Sequence, residues 1–229
     1  MSVGRHIIYA AAIAIITGCA VQPEKAAVTI PFDPTTKGTP THRIDTKQST
    51  ARIYIYRAGL MSKLGHNHIV LAPNLSGELW QQAATKNSAF HLLLPVNSLI
   101  VDPADLRAQA GADFASQPTA ADIEGTRKNM LGEKILNAAQ YPNIEIWSER
   151  IRGSGTALSA DIVISAGGNL NRITIPLEIK TENENITASG KFTLKQTDIG
   201  IEPFSILMGA IAIRDELEIE YTITARPKH

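Results

Sequence analysis

Apolar and polar side chains alternate with period two along several stretches of the chain, and each stretch ends at a cluster of turn-forming residues. The plainest is Ile173-Thr-Ile175-Pro-Leu177-Glu-Ile179, which places aliphatic groups on one face and Thr174, Pro176 and Glu178 on the other. Pro176 has no backbone donor, so this strand is expected beside a sheet edge or a bulge. The next alternation directs Ile186, Ala188, Gly190, Phe192 and Leu194 inward, after a turn at Glu182-Asn183-Glu184-Asn185. A last strand alternates Leu217, Ile219, Tyr221 and Ile223 with Glu218, Glu220 and Thr222. Earlier strands are expected near 52–57, 68–71, 75–81, 90–96, 144–149 and 158–165, and Ala166-Gly-Gly-Asn169 reads as a turn. One stretch departs from this pattern. Over residues 120–138, Ile123, Met130, Leu131, Ile135 and Ala138 share a helical stripe, which Tyr141-Pro142 ends. The fold expected is mainly β: an antiparallel barrel of about eight strands with one accessory helix.

The residues before the barrel pattern read differently. Residues 1–18 have the layout of an export signal, with Arg5 ahead of an apolar run from Ile7 to Ile16. That run is shorter than the roughly 20 residues a membrane-spanning helix needs. Ile16-Thr17-Gly18-Cys19 resembles a bacterial lipobox, in which cleavage leaves Cys19 as the acylated first residue, and Cys19 is the only cysteine in the chain. Stable anchoring needs more than one acyl chain, which diacylglycerol plus an amide-linked palmitate-type chain supplies. Ala20 follows, and the absence of Asp there points to the outer membrane. Residues 19–48, rich in Pro, Thr and Lys without apolar periodicity, are expected to form a flexible linker in which His42 is solvated. The barrel domain is then assigned to 49–226.

Composition narrows the function classes. The 229 residues are 44% hydrophobic, enough for a sizeable core, and carry 22 basic against 22 acidic side chains. With no excess positive charge, nucleic-acid binding has no electrostatic basis. Gly-x-Ser-x-Gly, a phosphate-binding glycine loop and His-Glu-x-x-His are all missing, so the sequence offers no enzyme signature.

Leu64-Gly-His-Asn-His68, Val96 to Asp102, Asn129-Met-Leu-Gly132 with Tyr141-Pro-Asn-Ile144, the run from Gly190 to Pro203, and the later Ala210, Asp215, Leu217 and Ile219 together resemble the YceI-like family, in order and spacing. The resemblance implies an exported, lipocalin-like barrel that is not an enzyme. It also implies a long apolar cavity that holds an isoprenoid chain such as a quinone tail, with no cofactor required. Gly65-His66-Asn67-His68 resembles the branch with paired histidines.

Two sets of site candidates follow. Ile173, Ile175, Leu177, Phe192, Leu194, Leu217, Ile219 and Tyr221 are the candidate ligand lining, though alternation alone does not separate a hollow barrel from a filled one. His66 and His68, two apart on an extended segment, share one side. They could face a ligand headgroup or chelate a metal, which would suit a metal-binding or metal-dependent enzyme instead. Zinc takes three or four ligands, and His91, Asp102, Asp105 and Asp113 are contributors without a spacing argument. The expected function is an envelope lipoprotein whose partners are a lipid ligand and, through Cys19, the membrane.

Overall fold

The computed structural model describes residues 28–155 and 157–228, so the signal segment and Cys19 lie outside the described residues. The strands are β1 (His42–Ile44), β2 (Thr50–Ala58), β3 (His68–Ala72), β4 (Ser76–Trp80), β5 (Ala89–Pro95), β6 (Ile100–Val101), β7 (Asn143–Ser154), β8 (Ala157–Ala166), β9 (Asn169–Glu182), β10 (Asn185–Lys195), β11 (Ser205–Ile206) and β12 (Ile211–Pro227). Two helices, α1 (Ala104–Gln109) and α2 (Ala120–Leu131), fall between β6 and β7.

Pairing turns these pieces into a closed antiparallel barrel of eight strands. β1 and β2 both pair with β12, one after the other, as two halves of one strand. β4 and β3 pair with those halves, and β5 and β6 continue the next strand in the same way. β7 to β10 follow as a meander, and β12 closes the ring against both β10 and the first strand. The break between β1 and β2 is held by Ser49, whose hydroxyl donates to the Thr224 carbonyl and accepts from the Thr224 amide. Asn74 makes the turn between β3 and β4 with φ 60°.

Several positions differ from the sequence expectation. Pairing begins at His42, ahead of Ser49, because His42 and Arg43 lie opposite Leu79 and Glu78 in β4. His42 is buried and not solvated: its ring meets the Thr41 hydroxyl and the Glu184 carbonyl. Part of the supposed linker also packs on the barrel, since Phe32 lies edge-on to Trp80 at 5.6 Å and the Trp80 indole donates to the Gly38 carbonyl.

There are two helices where one was expected, and α2 stops at Leu131, where the Gly132 amide closes on the Asn129 carbonyl. Ile135, Leu136 and Ala138 then reach the core from a turn. β12 extends well before Leu217. Between Ile213 and Leu217 it bulges by two residues relative to β2, an even number that keeps the inward row in phase. The bulge is engaged by the segment after β10, where Thr197 donates to the Asp215 carboxylate and Gln196 to the Arg214 carbonyl.

One seam in the wall is incomplete. The ladder between β9 and β10 ends at Glu178 and Ser189, and from Pro176 back to Asn169 strand β9 pairs only with β8. Pro176 thus sits where β9 loses one neighbour, a position that needs no backbone donor on that side.

Candidate functional site

The inward rows of all eight strands enclose a cavity of about 490 Å³, a size typical of small-molecule sites. Every lining candidate from the sequence, Ile173, Ile175, Leu177, Phe192, Leu194, Leu217, Ile219 and Tyr221, borders it. So do Ile53, Ile55, Leu92, Leu94, Ile144, Ile146, Ile162 and Ile164, whose strands were anticipated but whose inward role was not singled out. The wall is aliphatic almost throughout, and the barrel is hollow because these branched side chains stop short of the axis.

Tyr221 brings a hydroxyl into the middle of this wall. Its hydroxyl donates to the Pro176 carbonyl at 2.6 Å, reaching across Gly190, its register partner on β10. Gly190 is required for that reach, since a Cβ there would lie 2.8 Å from the Pro176 oxygen and 2.9 Å from the Tyr221 ring. The bond supplies a donor to the carbonyl at which the β9–β10 ladder has ended. Burial pushes the Tyr221 hydroxyl up to about 12, so it stays protonated as a donor across the physiological range.

At one end, α2 and the turn after it lie across part of the barrel's opening, with Thr126, Asn129, Met130, Ile135 and Leu136 bordering the cavity. A capping box fixes the start of α2: Thr119 and Asp122 exchange side-chain and backbone bonds. Arg127 ties the helix down by donating to the Asn97 and Leu99 carbonyls.

His66 and His68 both border the cavity at this end. His68 continues the inward row of β3 with Val70 and Ala72, opposite Ile55. Its Nδ1 donates to Asp102 at 2.6 Å, so in the neutral ring Nε2 carries the lone pair. Asp102 itself is fully buried and left-handed at φ 52°, and it also accepts from the Ile69 amide and from Arg107 at 2.6 Å. Burial alone would raise the pKa of this carboxyl, and the bonds from His68, Ile69 and Arg107 outweigh it, leaving Asp102 below the usual carboxylate range. Arg107 completes the clamp through the carbonyls of Asn67, Phe114 and Ser116.

His66 lies 3.8 Å from Asp122 of α2, and the two imidazole centroids are 6.3 Å apart. No group of three or more His, Cys, Asp or Glu side chains among the described residues is arranged to hold a metal ion. His91 lies away from the pair, stacked on Trp147 and bonded to Glu145. Of the carboxylates considered with the histidines, Asp102 is brought to His68, and Arg107 behind it carried no sequence signal. Only the tertiary contact of a helical arginine with a strand-end aspartate reveals it.

The family model of the YceI-like domain matches residues 42–225, from the first strand of the barrel to the last. The chain belongs to the YceI-like family. Among solved structures it is similar to BcnA of Burkholderia cenocepacia, at 14% identity and a TM-score of 0.59 over 80% of this chain and 99% of that one. It is also similar to a polyisoprenoid-binding domain from Saccharophagus degradans implicated in plant cell wall breakdown, at 11% identity and a TM-score of 0.55 over 83% of this chain and 100% of that one. At these identities the likeness is one of fold. No curated protein matches the sequence. The YceI-like match starts at His42, which agrees with the pairing of β1 and places the domain start ahead of Ser49.

Proposed function

We propose that this YceI-like protein is a non-catalytic lipid carrier of the bacterial envelope, holding an isoprenoid-type chain, such as a quinone tail, along its barrel. The observation that carries the reading is the aliphatic cavity of about 490 Å³. A hydrocarbon tail gains about 25 cal/mol for each Å² of apolar area removed from water, with no need for polar recognition along its length. The Saccharophagus domain, described as polyisoprenoid-binding, supports the same ligand class.

In this reading the headgroup sits at the histidine end. His68 Nε2 offers an acceptor there, and the Asp102–Arg107 clamp fixes the ring that presents it. In the same reading residues 1–18 are an export signal and Cys19 an acyl anchor facing the periplasm, supported by the lipobox-like Ile16-Thr17-Gly18-Cys19, and Ala20 favours the outer membrane.

The deciding experiment is solvent extraction of protein purified from its native host, followed by mass spectrometry. One lipid per chain, with an isoprenoid tail, is the expected result, and a cavity that never carries lipid defeats the proposal. Cys19→Ser should release the protein from membranes into the soluble fraction, as followed by fractionation.

A further inference from the structure

Eight large hydrophobic side chains are notably exposed among the described residues, and six of them lie on two adjoining loops at one rim of the barrel. Leu60, Met61 and Leu64 follow β2, and Ile206, Leu207 and Met208 form the hairpin between β11 and β12. The loops touch: the Met61 amide donates to the Ala210 carbonyl at 2.8 Å, and Gly59 packs so closely that a Cβ would meet the Gly209 oxygen at 2.4 Å. Leu60 is 99% exposed and Met208 fully so at 106%. A knob of this kind loses solvation free energy in water, and contiguous apolar patches of this sort mark interaction sites.

The hairpin tip adds a second observation. Leu207, Met208 and Gly209 are all left-handed, at φ 50°, 53° and 87°. Such tips ordinarily carry Asn, Asp or Gly, which tolerate positive φ. Leucine and methionine here are strained in the backbone and exposed in the side chain, so the folded domain alone gives no reason for them.

Position and charge specify the partner. Ser62, Gly65, His66, Phe204 and Ile211, from the same two loops, border the cavity, so the knob flanks its mouth. The two loops carry three permanent cations, Arg57, Lys63 and Arg214, while Glu202 and Asp215 flank the second loop and Asp122 stands 3.8 Å from His66 of the first. The first and last barrel strands meet at the opposite rim, where His42 pairs with Pro227. We infer that these two loops are a bilayer-docking lip: the six side chains enter the acyl region while the cations meet anionic headgroups. This sets the mouth of the barrel against the lipid from which an apolar ligand would pass. The docking itself does not need an occupied cavity, so a domain that carries no lipid leaves the inference standing.

The test uses the full chain on vesicles of phosphatidylethanolamine and phosphatidylglycerol containing brominated phospholipid, with Leu60→Trp, Met208→Trp and Lys86→Trp as separate reporters. Lys86 is at the far rim, and the native Trp80 and Trp147 are buried. Emission from positions 60 and 208 should shift to the blue and be quenched, while position 86 stays like the parent chain. Equal quenching at all three sites, or none, overturns the inference.

In L207N/M208G, which supplies the residues such a turn ordinarily takes, quenching at position 60 should be lost while the thermal midpoint in lipid-free buffer rises. A lower midpoint would mean the pair serves the fold and would overturn the inference. So would sedimentation showing a lipid-free dimer that L207N/M208G converts to monomer, since the lip would then bind a second copy.

Discussion

Two residues show how the cavity's polar parts are held. Tyr221 stays protonated because ionising it inside the barrel would place charge among aliphatic groups and remove a donor from Pro176. Its pKa is raised, so as the pH climbs the unfolded chain ionises first. The stability it contributes is complete below about 10 and drains as the pH rises toward about 12. Tyr221→Phe should therefore flatten the alkaline limb of a denaturation profile and cost about 0.5–1.5 kcal/mol at neutral pH for the lost bond. Asp102 behaves in the opposite sense. Its pKa is lowered from 3.8, so its contribution is complete above that value and is lost as the pH falls below it. Arg107→Met leaves the buried Asp102 with its charge less compensated and should destabilise the domain by about 3–5 kcal/mol in urea titrations at pH 7. Neither pairing was legible in the sequence, because Tyr221 with Pro176 and Asp102 with His68 are each joined only by the closing of the sheet. The histidine spacing and the missing donor of Pro176 were legible, being properties of single residues on a strand.

Among the elements, the strands were easiest to anticipate, since a half-buried strand must alternate and its side chains record that directly. Short pieces escaped. β1 has too few residues to alternate visibly and exists through partners on β4 and β12. The helical stripe of the sequence runs on past Leu131 because the residues after it are also apolar, although they reach the core from a turn. α2 has no fully buried residue and lies across part of one end of the barrel, so its start depends on local bonding. Thr119→Ala removes the cap and should cost about 1 kcal/mol. Hydrogen exchange should then show faster opening of 120–131 with the strands unchanged, and protection lost across the whole barrel would contradict this placement.

At the scale of the molecule, the barrel closes around space and not around packed side chains. Ile219→Trp adds bulk directed into that space and should lower the lipid recovered per chain, as weighed by mass spectrometry after extraction. The fold itself should keep its near-ultraviolet spectrum, because the added atoms enter a void and not a filled core. By itself the sequence determined the strand faces, the near neutrality of the surface, the lining candidates and the resemblance to the YceI-like family, since each follows from residue type and order. Only the tertiary structure decided that the inward rows leave a cavity, that Asp102 and Arg107 fix His68, and that two loops far apart in sequence join as one apolar lip. The reason is geometric: alternation records which way a side chain points, whereas hollowness and neighbourhood depend on how far across the ring the opposite wall stands.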